Sequence, residues 1–116
     1  IVNVHGMFKL SHLHDDIPER IEQSKRIKAF LSEHSGPAVV IGDFNLGIDT
    51  QSLGMLDEGM KNLVKEYHIT STRTHFYPLD DLFADYAFTS PDVAVKDFKV
   101  LPDVVSDHAA LYLEVR

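Results

Sequence analysis

The run Ala38-Val39-Val40-Ile41, closed by Gly42-Asp43, constrains the fold of this chain more than any other feature. Apolar residues that continue without alternation read as a strand covered on both faces. Ile1-Val2-Asn3-Val4-His5 reads as a second strand. Between the two, Asp16-Ile17-Pro18-Glu19 offers an N-cap, a proline in the first turn and a glutamate three residues after the cap. Ile17, Ile21, Ile27, Phe30 and Leu31 then mark one helical face against Glu19, Arg20, Glu22, Lys25 and Lys28, and Gly36-Pro37 ends the helix. A strand–helix–strand crossover is right-handed and joins parallel strands, whose C-terminal ends leave the sheet at one edge. His5 and Asp43 are therefore expected to be neighbours.

Beyond Asp43, residues 47–59 read as loop and short helix, 60–67 as a helix and 69–76 as an extended segment. Phe83 to Thr89, Val93 to Leu101 and Ala109 to Val115 read as three strands, with Ser90-Pro91-Asp92 a turn between the first two. An antiparallel meander of these strands would bring Asp85 and the pair Asp107-His108 to one edge. The fold class expected is α/β (α+β): one unit, a mixed sheet with a βαβ crossover and a C-terminal antiparallel meander. The opening strand carries no initiator Met and no polar lead-in, so the chain reads as cut from something longer.

Composition narrows the chemistry. With no Cys among 116 residues, thiol nucleophiles, disulfides and zinc–thiolate sites are excluded, and any metal must sit on oxygen or imidazole. The same absence fits a reducing, cytoplasmic setting. No apolar run approaches the roughly 20 residues of a membrane span. Eleven Lys and Arg against 18 Asp and Glu give a net charge of −7, the wrong sign for a broad nucleic-acid footprint.

Four short motifs could carry chemistry. Gly42-Asp43-Phe44-Asn45 follows the buried strand, and its Asp and Asn, two apart, can face one side of a turn; the same residues also suit a turn that bonds its own backbone. Asp85-Tyr86 sets a carboxylate between Phe83-Ala84 and Ala87-Phe88, where a charge needs a partner. Ser106-Asp107-His108 supplies one candidate: His108 on Asp85 would make an Asp–His pair in which the acid fixes the tautomer. His12-Leu13-His14-Asp15-Asp16 resembles the start of a dinuclear metallo-hydrolase motif without its final His, and reads more readily as a solvated loop.

Taken in order, Asn3-Val4-His5, Gly42-Asp43-Phe44-Asn45, Asp85-Tyr86 and Ser106-Asp107-His108 resemble the second half of the endonuclease/exonuclease/phosphatase (DNase I-like) superfamily. The resemblance implies half of a four-layer αββα sandwich, with residues 1–116 as the C-terminal half of a domain of roughly 200–250 residues and the N-terminal half absent. It implies a metal-dependent phosphoester hydrolase, a phosphodiesterase, nuclease or phosphatase, using Mg²⁺ or Mn²⁺. By the same resemblance Asp107 is a metal ligand and Asp43 orients the attacking water. His108 with Asp85 accepts a proton or stabilises the transition state, Asn45 holds a phosphate oxygen, and His5 contacts the phosphate or protonates the leaving group. The metal-binding Glu of the first half has no match here, so the isolated chain is expected to be inactive and to self-associate through an uncovered sheet face. The charge balance favours a small or single-stranded phosphoester over duplex DNA. The alternatives are a non-catalytic binding relative, or a metallo-hydrolase centred on His12 and His14.

Overall fold

In the computed structural model, which describes residues 1–116, strands β1 (Val2–His5) and β2 (Val39–Asp43) run parallel in the register Val2↔Val40 to His5↔Asp43. Helix α1 (Pro18–Ser32) makes the crossover between them. Its apolar positions Ile27 and Leu31 pack against the core, as the periodicity requires. Two expectations for this segment change. Arg20, placed by pattern on the polar face, is buried, and its guanidinium donates to the carbonyls of Met7, His12, Leu13 and Asp15. Asp16 does not cap α1, whose N-cap position is Ile17 with no side-chain cap bond. Its carboxylate instead accepts from the backbone N–H groups of Gln51 at 2.7 Å and Ser52 at 2.8 Å, at the start of helix α2 (Gln51–Asp57). The reason is supply of donors: α1 opens on Pro18, which has no N–H, whereas the first turn of α2 presents free N–H groups and the positive end of its dipole.

Residues 60–67, read as one helix, divide into a two-residue strand β3 (Lys61–Asn62) and one helical turn α3 (Leu63–Glu66) that the Asn62 side chain caps through the Lys65 N–H. Strand β4 (Asp85–Thr89) is antiparallel to both β2 and β3, and the sheet order is β1-β2-β4-β3. The meander is therefore not formed as a unit. Strands β5 (Val95–Val100) and β6 (Leu111–Val115) pair antiparallel as expected, but in a separate two-stranded sheet. Burial explains the difference. Tyr86, Ala87, Phe88 and Thr89 are all fully buried, so β4 occupies an interior sheet position with neighbours on both sides, while β5 and β6 are only half covered. The end of β4 is tied to the start of β2, with Ser90 N–H bonded to Ala38 O and Ala38 N–H to Ser90 Oγ.

Register assigns the two faces of the four-stranded sheet, since side chains alternate along each strand. Val2, Val4, Val40, Tyr86 and Phe88 share one face; Val4, Val40, Tyr86 and Phe88 join Phe44, Leu53 and Leu56 in the buried cluster, with Val2 packed against it. His5, Asp43 and Asp85 fall on the other. Principal extents of 40 × 33 × 19 Å make the molecule a slab about two layers deep, given the ~10 Å spacing of packed layers. No helix is long and apolar enough to cross a membrane.

Candidate active site

Three strands each contribute one side chain to a single cross-strand row, His5↔Asp43↔Asp85. Two glycines let the backbone approach that this row needs. Gly42 adopts φ +145°, and a Cβ there would lie 1.9 Å from the Val4 carbonyl oxygen; a Cβ on Gly6 would lie 2.1 Å from that of Phe44. Within the row, His5 Nε2 stands 4.0 Å from Asp43 Oδ2. The other Asp43 oxygen accepts the Asn45 backbone N–H at 2.9 Å, and Asn45, in the left-handed region at φ 51°, directs its side-chain amide to the Gly6 carbonyl at 2.9 Å. The local turn bonding and the cleft position of Asn45 thus coexist.

His108 reaches the row from the far end of the chain. Residues 72–74 pair with 107–109 through Thr74 N–H to Asp107 O, Ala109 N–H to Thr72 O and an isolated Arg73↔His108 bridge. His108 Nδ1 then lies 2.7 Å from Asp85 Oδ2, and its Nε2 lies 3.8 Å from Asp43 Oδ2. The expected Asp–His pair is formed, and both pairs read from the sequence meet in one cleft because β4 lies beside β2. Burial raises the Asp85 carboxyl above the ordinary carboxylate value, with the nearby Asp43 charge adding to the rise and the His108 hydrogen bond opposing it. Asp107 lies half exposed at the rim, 3.9 Å from Arg73 Nη1.

Sequence reasoning missed Arg73 and Asp81, and singled out His14 only as a metal ligand beside His12. The Arg73 side chain is only 5% exposed; its Nη1 bonds His108 Nε2 at 2.9 Å, its Nη2 bonds His14 Nε2 at 3.0 Å, and its guanidinium lies 3.9 Å from the centroid of Tyr77. His14 is buried with Nδ1 against Asp81 Oδ2. A metal site on His12 and His14 does not form, because His12 sits exposed on the 3₁₀ turn Leu10–His12 while His14 is buried, with Nε2 bonded to Arg73 and Nδ1 against Asp81. The one available signal for Arg73 was a lone cation in an uncharged stretch of a strongly acidic chain.

A model of the Endonuclease/Exonuclease/phosphatase family matches residues 6–108. The chain belongs to this family. Among solved structures it resembles the mannosyl-6-phosphatase of Bacteroides thetaiotaomicron, with a TM-score of 0.71 and 24% identity over 87% of this chain and 47% of that one. An endonuclease/exonuclease/phosphatase from Bacteroides vulgatus matches with a TM-score of 0.63 and 26% identity, over 83% of this chain and 44% of its own. The chain thus spans about half the length of these structures. No curated protein matches it.

The endonuclease/exonuclease/phosphatase cleft has a donor set suited to a hard divalent ion. Asp43, Asp85 and His108 each offer one ligand atom, all within 4.8 Å of one another. Two carboxylates facing each other across paired strands carry like charge that a divalent cation would relieve. Asp107 is not part of that group, although it lines the same cleft.

Proposed function

We propose that the protein containing this chain is a divalent-cation-dependent phosphoester hydrolase whose catalytic groups include His5, Asp43, Asn45, Asp85 and His108. The observation that carries this reading is the His5–Asp43–Asp85 row with His108 seated on Asp85. Asp85 accepts the Nδ1 proton and so leaves Nε2 of His108 as the basic atom facing the cleft. Asp43, 3.8 Å from that nitrogen, is placed to orient a water for attack on phosphorus. Asn45 keeps a second amide N–H to donate to a phosphate oxygen, and His5, the most exposed member of the row, is the one free to contact the leaving-group side. In the same proposal Asp107, half exposed at the rim of the cleft, would supply a ligand to Mg²⁺ or Mn²⁺, which when bound would polarise the phosphoryl group and neutralise developing charge.

Residues 1–116 are, in the same proposal, the C-terminal half of the domain, and alone they lack the carboxylates a tightly held Mg²⁺ needs. An acidic chain favours a small or single-stranded substrate, and a mannosyl-6-phosphatase shares the fold. The absence of Cys supports a reducing, cytoplasmic setting. The test is a panel of nucleotides, sugar phosphates, phosphoinositides and single- and double-stranded DNA, offered to the full-length protein with Mg²⁺, Mn²⁺ or EDTA. Turnover of small or single-stranded esters that EDTA abolishes is expected, with none from the isolated chain. Turnover indifferent to EDTA, or fastest on duplex DNA, would contradict the proposal.

A further inference from the structure

The floor of the cleft contains two Asp–His pairs facing each other across one guanidinium. Arg73 can only donate, so the 2.9 Å and 3.0 Å bonds to His108 Nε2 and His14 Nε2 make both of those nitrogens acceptors. Each ring then carries its proton on Nδ1, where it meets Asp85 on one side and Asp81 on the other. Two nitrogens here, His14 Nδ1 and Arg73 Nε, are buried without a hydrogen bond. The arrangement Asp85–His108–Arg73–His14–Asp81 is nonetheless continuous, with His14 Nδ1 lying against the Asp81 carboxylate. It also has a functional consequence, because a His108 whose Nε2 is occupied by Arg73 has no lone pair for an attacking water.

Arg73 is the only Lys or Arg among the residues lining this cleft, which otherwise holds the acids Asp43 and Asp107, with Asp81 and Asp85 behind the two imidazoles. A neutral imidazole is a weak competitor for a guanidinium when a phosphate arrives, since charge-assisted bidentate bonds to phosphate are much the stronger. We infer that Arg73 is the receptor for a terminal phosphate, which draws the guanidinium off His108 while His14, fixed by Asp81, keeps it in the cleft. His14 is in this sense a positioning residue, and Tyr77 supports the guanidinium face at 3.9 Å.

The oxygen count sets the substrate class. The guanidinium fork engages two phosphate oxygens, and the catalytic row needs at least one more. A phosphodiester has two non-bridging oxygens and a phosphomonoester three, so the cleft suits a monoester. This assignment rests on the hydrolase reading above and selects within it.

The test has two arms in the full-length protein. In the first, inorganic phosphate is titrated without divalent ion while the imidazole signals of His14 and His108 are followed by NMR. Both rings are expected to shift together with one apparent Kd, and Arg73→Lys, which keeps the charge but loses the fork, is expected to weaken that Kd about tenfold or more. In the second arm, kcat/KM for a matched monoester and diester is compared in wild type, Arg73→Lys and Arg73→Gln. The monoester-to-diester ratio is expected to fall about tenfold or more in both variants, with the change in KM for the monoester. Phosphate that leaves the His108 ring unshifted, or a ratio unchanged in both variants, would overturn the assignment. Hydrolysis of neither ester would remove the hydrolase reading, and the phosphate titration alone would then decide the role of Arg73.

Discussion

Asp16 and Arg73 find their partners far along the chain and Arg20 in the loop before its own helix, and each does something its local pattern does not announce. Asp16 fastens the entry to α1 onto the start of α2, accepting from the Gln51 and Ser52 N–H groups and from Ser52 Oγ at 2.5 Å. Burial pushes its carboxyl up, but these hydrogen bonds outweigh it and hold the group below the ordinary 3.8. A carboxyl lowered by folding stabilises the fold above its unfolded value, and that contribution is lost as pH falls through the lower, folded value. Asp16→Ala is therefore expected to cost about 1 kcal/mol near pH 7, the usual size of a lost cap. The difference from wild type in urea unfolding should narrow as pH falls below about 4; a difference that does not narrow at all as the pH is lowered would contradict this account.

At the scale of elements, the βαβ unit was legible because each of its signals is local: an unbroken apolar run, a proline at the first helical turn, and a Gly-Pro stop. The position of β4 was not. Tyr86-Ala87-Phe88 announces a buried strand, but an apolar run does not name its neighbours, and the nearest in sequence, β5, is not one of them. Strand β3 is two residues long, too short to leave any period at all. The same division holds for the site. His5, Asp43, Asp85 and His108 stood out because a polar residue at a strand end or inside an apolar strand demands a reason. Their convergence followed only from β2–β4 pairing. Arg73, and the place of His14 beside it, stayed hidden because their burial depends on a bridge between positions 73 and 108 and on the loop that Arg20 organises.

For the whole molecule, a slab 19 Å deep with only 25 of 116 residues buried leaves much apolar surface to water. Phe8, Leu10 and Val105 are all more than half exposed, and the two-stranded β5–β6 sheet is half covered. The isolated chain is expected to self-associate, or to melt without a sharp transition. Light scattering and a thermal melt decide this, and a monodisperse monomer with a cooperative melt would contradict it. The central claim, that the row His5–Asp43–Asp85 with His108 is a catalytic centre, is tested most directly by steady-state turnover of the full-length protein with saturating Mg²⁺. Wild type is to be compared with His108→Ala and Asp43→Asn, their folding checked by circular dichroism. A fall in kcat of about 10²–10⁴-fold in each variant is expected for positioned proton-transfer groups, whereas near-normal turnover in either folded variant would contradict the account.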